Sequence, residues 1–124
     1  MNPETTTVLG RRGEDFAARH LVAQGLELLE RNFRCRGGEI DLVMREGATL
    51  VLVEVRARSS PDYGGAAASV GTRKRRRFVL AARRLLVMRP AYRSMPARFD
   101  VVALDGGCAG AETVVTWIRD AFRT

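Results

Sequence analysis

The chain has 124 residues, 46% hydrophobic and 28% charged, which is typical of one globular domain and excludes a disordered chain. No apolar run is long enough to span a bilayer, no signal peptide is visible, and two distant cysteines argue against a disulfide scaffold or a zinc ribbon. We therefore expect a cytoplasmic protein with free thiols. The net charge of +7 favours a polyanionic partner, nucleic acid ahead of an acidic membrane surface.

The first half of the chain predicts one helix followed by three strands. Apolar residues recur at helical spacing over 9–24, after a polar segment at 1–8 that we expect to be flexible. Alternating patterns then predict strands at 26–35, 39–45 and 49–58. The last two strands form a hairpin with Gly47 at its tip.

The second half predicts a loop, a helix and two more strands. Proline and glycine in 59–71 indicate a mobile loop, and an apolar stripe predicts a helix at 72–88. Strands follow at 97–104 and 112–117, with a short closing helix at 118–122. The order α-β-β-β-α-β-β indicates a single α/β domain over 9–124 with a mixed sheet.

Two acidic residues of the predicted hairpin face each other. Because side chains alternate across a strand, Glu39 and Asp41 share one face. The opposite face carries Ile40, Leu42 and Met44. Pairing the strands about the turn at 46–49 sets Asp41 across from Glu54, and Glu39 across from Arg56.

Carboxylates that face each other across a ladder repel, so this pair needs a compensating group. Glu54 also interrupts an apolar strand, LVLVEV, where an unpaired charge is costly. The compensation could be a divalent cation, the neighbouring Arg56, or a raised pKa on one acid. Two carboxylates with waters suit Mg²⁺, which could activate water at a phosphate. The alternative is that Glu39 and Glu54 pair with Arg56 and Arg58 on a solvated face.

Five segments, in this order, resemble the YraN family of small bacterial proteins. They are GRRGEDFA at 10–17, RNFR at 31–34, GEIDLV at 38–43, VEVRAR at 53–58 and RFDVV at 98–102. The resemblance covers 9–122. That family looks like a member of the PD-(D/E)XK nuclease-like superfamily and is similar to the archaeal Holliday-junction resolvases. The resemblance implies a restriction-endonuclease-like core, αβββαβ with a mixed central sheet flanked by helices, which agrees with the order above.

The resemblance also implies roles for single residues. The metal-binding aspartate of the superfamily falls on Asp41, the acid of its E-x-K element on Glu54, and the helical glutamate of the resolvases on Glu14. The lysine of the E-x-K element is Arg56 here. Arginine supplies charge and hydrogen bonds to phosphate, but it cannot act as a general base. The implied cofactor is Mg²⁺ or Mn²⁺, if the site is active.

A run of five cations opens the second predicted helix, where the helix dipole disfavours positive charge. It consists of Arg73, Lys74, Arg75, Arg76 and Arg77. A phosphate partner would offset that cost, whereas the alternative is a solubilising face. Lys74 is the only lysine among the 21 Lys and Arg residues. The resembled family has a lysine near this position, so Lys74 is expected to lean toward the site.

These observations support three hypotheses. The first is a metal-dependent endonuclease acting on DNA, branched or junction DNA included. The second is a catalytically silent nucleic-acid-binding module with a degenerate E-x-K element, and the third is an adaptor for a protein partner. Homodimerisation is expected only by analogy with the resolvases. Asp100, on a core strand, either joins the acidic cluster or pairs with Arg98.

Overall fold

The structure is a computed structural model that describes residues 3–58, 72–105 and 113–122. Within these ranges the elements are α1 (Pro3–Ala23), β1 (Glu27–Cys35), β2 (Gly38–Glu46), β3 (Thr49–Arg58), α2 (Thr72–Met88), β4 (Ala97–Asp105) and β5 (Val114–Phe122). A 3₁₀ turn, Pro90–Tyr92, lies between α2 and β4. The predicted α/β class is confirmed, and the arrangement is that of a restriction-endonuclease-like core.

The five strands form one mixed sheet in the order β1-β2-β3-β4-β5. Neighbouring strands are antiparallel except β3 and β4, which are parallel because α2 carries the chain back across the sheet. The predicted hairpin register is confirmed where the β2–β3 ladder is formed, since Arg45 pairs with Leu50 and Val43 with Leu52. Counted from the turn, the last paired residue of β2 is Leu42, so Asp41 is the first residue beyond the ladder.

The two helices cover opposite faces of the sheet. On one face, α2 packs Phe78 and Leu85 against β2, β3 and β4, with the rings of Phe78 and Phe99 edge to face at 5.5 Å. On the other face, α1 packs Ala17 and Leu21 against the same strands. Replacing a buried leucine by alanine lowers the free energy of unfolding by about 2–5 kcal/mol, so these contacts hold both helices on the sheet.

Gly38 sets the distance between α2 and β2. A Cβ atom at this position would lie 2.1 Å from the carbonyl oxygen of Arg77, which is backbone and cannot yield by a side-chain rotation. Only glycine fits there. The first two turns of α2, which carry the cationic run, are therefore held directly against the start of β2.

Two predicted element bounds are wrong. α1 begins at Pro3 rather than at residue 9. The predicted helix at 118–122 is strand, because β5 continues to Phe122 and pairs Ile118 with Val101. Asp120 adopts a positive φ of 52°, and its N–H donates to Asp100 Oδ1 at 2.9 Å. A partner twenty positions away in sequence thus decides the local conformation.

Some predictions concern residues outside the described ranges. The loop at 59–71 and Cys108 lie there, whereas Cys35 is a half-buried free thiol. The predicted flexible segment at 1–8 and the single domain over 9–124 stay predictions. Neither α1 nor α2, the helices of the described part, combines the length and the apolar character needed to cross a bilayer.

Candidate functional site

An irregularity shared by β1 and β2 places Asp41. The pairing passes from Arg31–Leu42 to Phe33–Ile40, and Asn32 between them has a φ of 53°, a left-handed conformation that asparagine tolerates better than most residues. The predicted face of Ile40 is wrong for this reason. Ile40 packs with Phe33 in the α2-side core, whereas Leu42 packs on the α1 side. Asp41 lies at the point where β2 changes sides.

Asp41 and Glu54 are brought together, as the sequence predicts, just beyond the end of the β2–β3 ladder. Asp41 Oδ2 accepts a hydrogen bond from the N–H of Val55 at 2.8 Å, so the carboxylate continues the pairing that the backbone of β2 has left. Glu54 is 4% exposed. Burial, and next the charge of Glu54, raise the pKa of Asp41 to about 8. At neutral pH, therefore, the carboxyl group of Asp41 is mostly protonated.

Two cations from different elements meet Glu54 at one oxygen. Lys74 Nζ lies 3.1 Å from Glu54 Oε1, and Arg56 Nη1 lies 3.6 Å from the same atom. Arg56 comes from β3 itself, two residues after Glu54, whereas Lys74 reaches over from α2. The predicted approach of Lys74 to the site is what the geometry shows. Of the alternatives left open by the sequence, the Glu54–Arg56 ion pair is present, and the side chain of Arg58 lies outside the description.

Glu14 approaches the pair from α1. Burial raises its pKa, while a hydrogen bond from the side chain of Asn32 opposes that rise. Its Oε1 is buried and has no hydrogen-bond partner among the described residues, and the nearest cation, Arg31 Nη2, lies 3.7 Å away. The charge of Glu14 also contributes to the raised pKa of Asp41. The charges of both Glu54 and Glu14 thus act on Asp41.

Glu39 lies at the mouth of the site. It is exposed and pairs with Arg34 Nε at 3.3 Å, a partner that the sequence analysis did not identify. Glu39 also lines a small open cleft of about 50 Å³. The other lining residues are Glu54, Lys74, Arg77 and Phe78. Through this cleft the carboxylate of Glu54 faces solvent.

Asp100 belongs to a separate network. It pairs in register with Val53, so it lies on the opposite face of the sheet from Glu54. Its fully buried carboxylate accepts hydrogen bonds from Arg98 Nε at 3.0 Å, Trp117 Nε1 at 2.9 Å and the Asp120 N–H. Of the two predicted alternatives, the geometry shows the pairing with Arg98.

Two members of the cationic run, Lys74 and Arg77, line the cleft. Exposed side chains on the first turns of α2 are Arg73, Arg75, Arg76 and Arg77. Arg77 Nε donates to the carbonyl oxygen of Gly37 at 3.3 Å, which holds this side chain at the start of β2. The result is a basic surface on the first turns of α2, next to a cleft that two acidic and two basic side chains line.

The donor set fits a hydrated hard cation rather than a fully protein-bound one. Within 3–58, 72–105 and 113–122, no three His, Cys, Asp or Glu side chains are close enough to hold a metal ion by themselves. Mg²⁺, however, is commonly bound through one or two carboxylates, with waters and substrate phosphates completing its shell. Asp41 and Glu54 supply two such carboxylates, and Oε1 of Glu14, which accepts no hydrogen bond from the described residues, could accept one from a water.

Asn32 is a residue of this site that the sequence patterns did not predict. Asn32 both bends β1 opposite Asp41 and binds Glu14. The available signal was an asparagine inside a predicted strand, a residue type that strands disfavour.

Comparison with known proteins places the chain among bacterial relatives. A profile of the uncharacterised protein family UPF0102 matches residues 13–104. A UPF0102 protein of Dechloromonas aromatica (strain RCB) is 52% identical over 119 residues, covering 96% of this chain and 92% of the relative. One of Janthinobacterium sp. (strain Marseille) is 48% identical over 123 residues, covering 98% and 94%. One of Xanthomonas oryzae pv. oryzae (strain PXO99A) is 53% identical over 112 residues, covering 90% and 88%.

Proposed function

The chain belongs to the UPF0102 family, the YraN family of the sequence resemblance, and on that premise we propose that it is a nucleic-acid-binding protein and a Mg²⁺- or Mn²⁺-dependent endonuclease acting on DNA. One observation carries the proposal: the half-buried Asp41 lies beside the buried Glu54, and desolvation, followed by the charge of Glu54, raises the pKa of Asp41, a cost that a bound cation would relieve. A purely structural pair of acids gains nothing from such an arrangement.

The proposed reaction is hydrolysis of a phosphodiester. A water adds to phosphorus, one P–O ester bond breaks, one water proton goes to the leaving alkoxide, and the other stays with the new phosphomonoester. A bound Mg²⁺ or Mn²⁺ supplies an acidified water and neutralises phosphate charge. Asp41 and Glu54 would hold the cation, Oε1 of Glu14 would orient a water, and Arg56 would stabilise charge that develops on the phosphate.

The basic surface on α2 supports a polyanionic substrate. Arg73, Arg75 and Arg76 are exposed on the same turns of α2 as the cleft-lining Lys74 and Arg77, and they can contact a phosphate backbone. Each phosphate that a side chain neutralises on duplex DNA lowers the slope of log affinity against log salt by about 0.9. Branched DNA is included among the substrates because the sequence resembles a superfamily that contains junction resolvases.

A second candidate is a catalytically silent nucleic-acid-binding module, and Arg56 is the observation that favours it. The guanidinium at the E-x-K position cannot take a proton from water. This candidate predicts salt-sensitive DNA binding without cleavage in the natural protein, and metal-dependent cleavage only after Arg56→Lys.

The test is an incubation of the purified chain with branched, single-stranded and linear duplex DNA in Mg²⁺, Mn²⁺ or EDTA. We expect cleavage of at least one DNA form, stopped by EDTA and lowered by about 100-fold or more in Asp41→Ala, with DNA affinity unchanged or higher. Salt-sensitive binding without cleavage would support the silent module. A loss of DNA binding in Asp41→Ala, with unchanged cleavage per bound complex, would contradict the proposed role of the acid.

A further inference from the structure

Lys74 differs from its neighbours in the cationic run in both chemistry and place. It precedes Phe78 by four residues, so helical spacing puts it on the side of α2 that faces the sheet. The side chain of Lys74 is 42% exposed, and its Nζ contacts the carboxylate of Glu54, whose side chain is 6% exposed. Arg73, Arg75 and Arg76, by contrast, are exposed residues. The ammonium group of the chain's only lysine therefore contacts the buried carboxylate of Glu54.

The composition of the chain sharpens this observation. Arginine serves at every other Lys or Arg position, including those that pair with surface acids. An ammonium is a compact point charge with three freely rotating donors, whereas a guanidinium is a wide planar fork. In a cleft of about 50 Å³ that Glu54 and Phe78 also line, the compact group fits beside both a carboxylate and a phosphate oxygen.

We propose that Lys74 supplies, from α2, the lysine cation that the E-x-K element lacks on β3. The inference rests on the proposed function and deepens it, since it names the group that positions Glu54 and faces the scissile phosphate. Asp41, Glu54 and Lys74 then form one chain of contacts, with Glu54 hydrogen-bonded to Asp41 on one side and paired with Lys74 on the other. Arg56 contacts the same oxygen of Glu54 and adds charge.

The position of Lys74 is fixed by packing. Because Gly38 lets the backbone of α2 approach β2 closely, and Phe78 is buried one turn after Lys74, the start of α2 cannot move away without opening the core. The lysine is thus presented by a rigid element, as a group acting on a reacting phosphate must be.

The experiment compares Lys74→Met, which removes the charge and keeps a side chain of similar length, with Arg84→Met, which removes an exposed charge from α2 beyond the cationic run. We expect Lys74→Met to lower the single-turnover cleavage rate at saturating DNA about 100-fold while changing the DNA Kd less than about 3-fold. Arg84→Met should leave the rate unchanged. Lys74→Arg, which keeps the charge and guards against misfolding of the methionine variant, should still lower the rate about 10-fold.

Rescue and metal binding separate this role from a structural one. Adding Arg56→Lys to Lys74→Met should restore the rate at least about 10-fold, because it returns an ammonium beside the same carboxylate. Mn²⁺ binding measured without DNA should tighten in Lys74→Met by several-fold, since a competing cation leaves Glu54.

Failure of the inference and failure of the proposed function give different results. If the natural protein cleaves DNA and Lys74→Met cleaves at the same saturated rate with a weaker Kd, Lys74 is a backbone-phosphate contact and the inference is wrong. If the natural protein never cleaves, the proposed activity fails, and Mn²⁺ binding then decides. Tighter Mn²⁺ binding in Lys74→Met would support Lys74 as the cation at Glu54, whereas unchanged or absent binding would overturn it.

Discussion

Two aspartates on the central sheet, the fully buried Asp100 and the half-buried Asp41, have opposite surroundings. Asp100 on β4 accepts hydrogen bonds from Arg98, Trp117 and the backbone of Asp120. Asp41 on β2 accepts one from Val55, and its other close neighbours include the carboxylate of Glu54. The first acid is surrounded by donors and the second by charge of its own sign.

The difference separates an acid that stabilises the fold from one that is available for chemistry. A buried carboxylate with several donors is a satisfied group, and removing it leaves a buried cation behind. A buried carboxylate beside another carboxylate is held at a cost that the rest of the fold offsets, as is common at functional sites. Burial alone therefore does not distinguish the two acids, whereas the sign of the neighbouring charges does.

The largest effect expected on stability concerns Asp100. Asp100→Ala should lower the free energy of unfolding by about 3–5 kcal/mol, because the partly buried Arg98 loses one of its two carboxylate partners. Urea unfolding measures the loss. Glu46→Gln is the matched control, since Glu46 pairs with Arg98 from a more exposed position and should cost less than about 1 kcal/mol. Equal losses in the two variants would remove the distinction drawn for Asp100.

Asp41 should behave in the opposite way. Because its pKa in the folded protein is raised to about 8, from about 4 when unfolded, the native state holds a proton that the unfolded state releases in this interval. The contribution of protonated Asp41 to the free energy of unfolding is complete below pH 4 and is lost as the pH rises toward 8. Asp41→Asn keeps an oxygen for Val55 but cannot ionise, so it should be more stable than the natural protein by on the order of 2 kcal/mol at pH 8.

Unfolding curves recorded from pH 4 to pH 9 check this prediction. The difference between Asp41→Asn and the natural protein should grow with pH and level off above pH 8. A difference that does not vary with pH would mean that Asp41 is not held against a charge repulsion.

The smallest effect concerns a single donor to Asp100. Trp117→Phe removes the indole N–H and keeps an aromatic ring under Arg119, whose guanidinium lies 3.8 Å from the ring centroid. Because two other donors remain, the loss of stability should be about 1 kcal/mol, measurable by urea unfolding. A loss above about 3 kcal/mol would show that the network around Asp100 fails when one member is removed.

Much of the fold could be predicted from the sequence because its signals are local. The hairpin register follows from strand alternation and a short turn, which is why Asp41 and Glu54 could be paired before the structure was known. The bounds of α2 follow from the stripe that contains Phe78 and Leu85. The contact of Lys74 with the site also has a local signal, its spacing from Phe78.

The remaining features depend on contacts between distant parts of the chain. The segment 118–122 is strand because it pairs with β4, and the N–H of Asp120 donates to Asp100, contacts that no local pattern contains. The left-handed Asn32 and the displaced face of Ile40 arise together from the pairing of β1 with β2. Local rules fail where two strands bend around the candidate site, which is where function commonly overrides local preference.

The most direct test of the account is a Mn²⁺ titration of the DNA-free protein, followed by electron paramagnetic resonance, for the natural chain, Asp41→Asn and Glu46→Gln. We expect one saturable Mn²⁺ site in the natural chain and a loss of Mn²⁺ affinity of about 10-fold or more in Asp41→Asn. Glu46→Gln should leave the Mn²⁺ affinity unchanged, because Glu46 is paired with Arg98 and Arg119. Equal Mn²⁺ affinity in the natural chain and Asp41→Asn, or no binding at all, would contradict it.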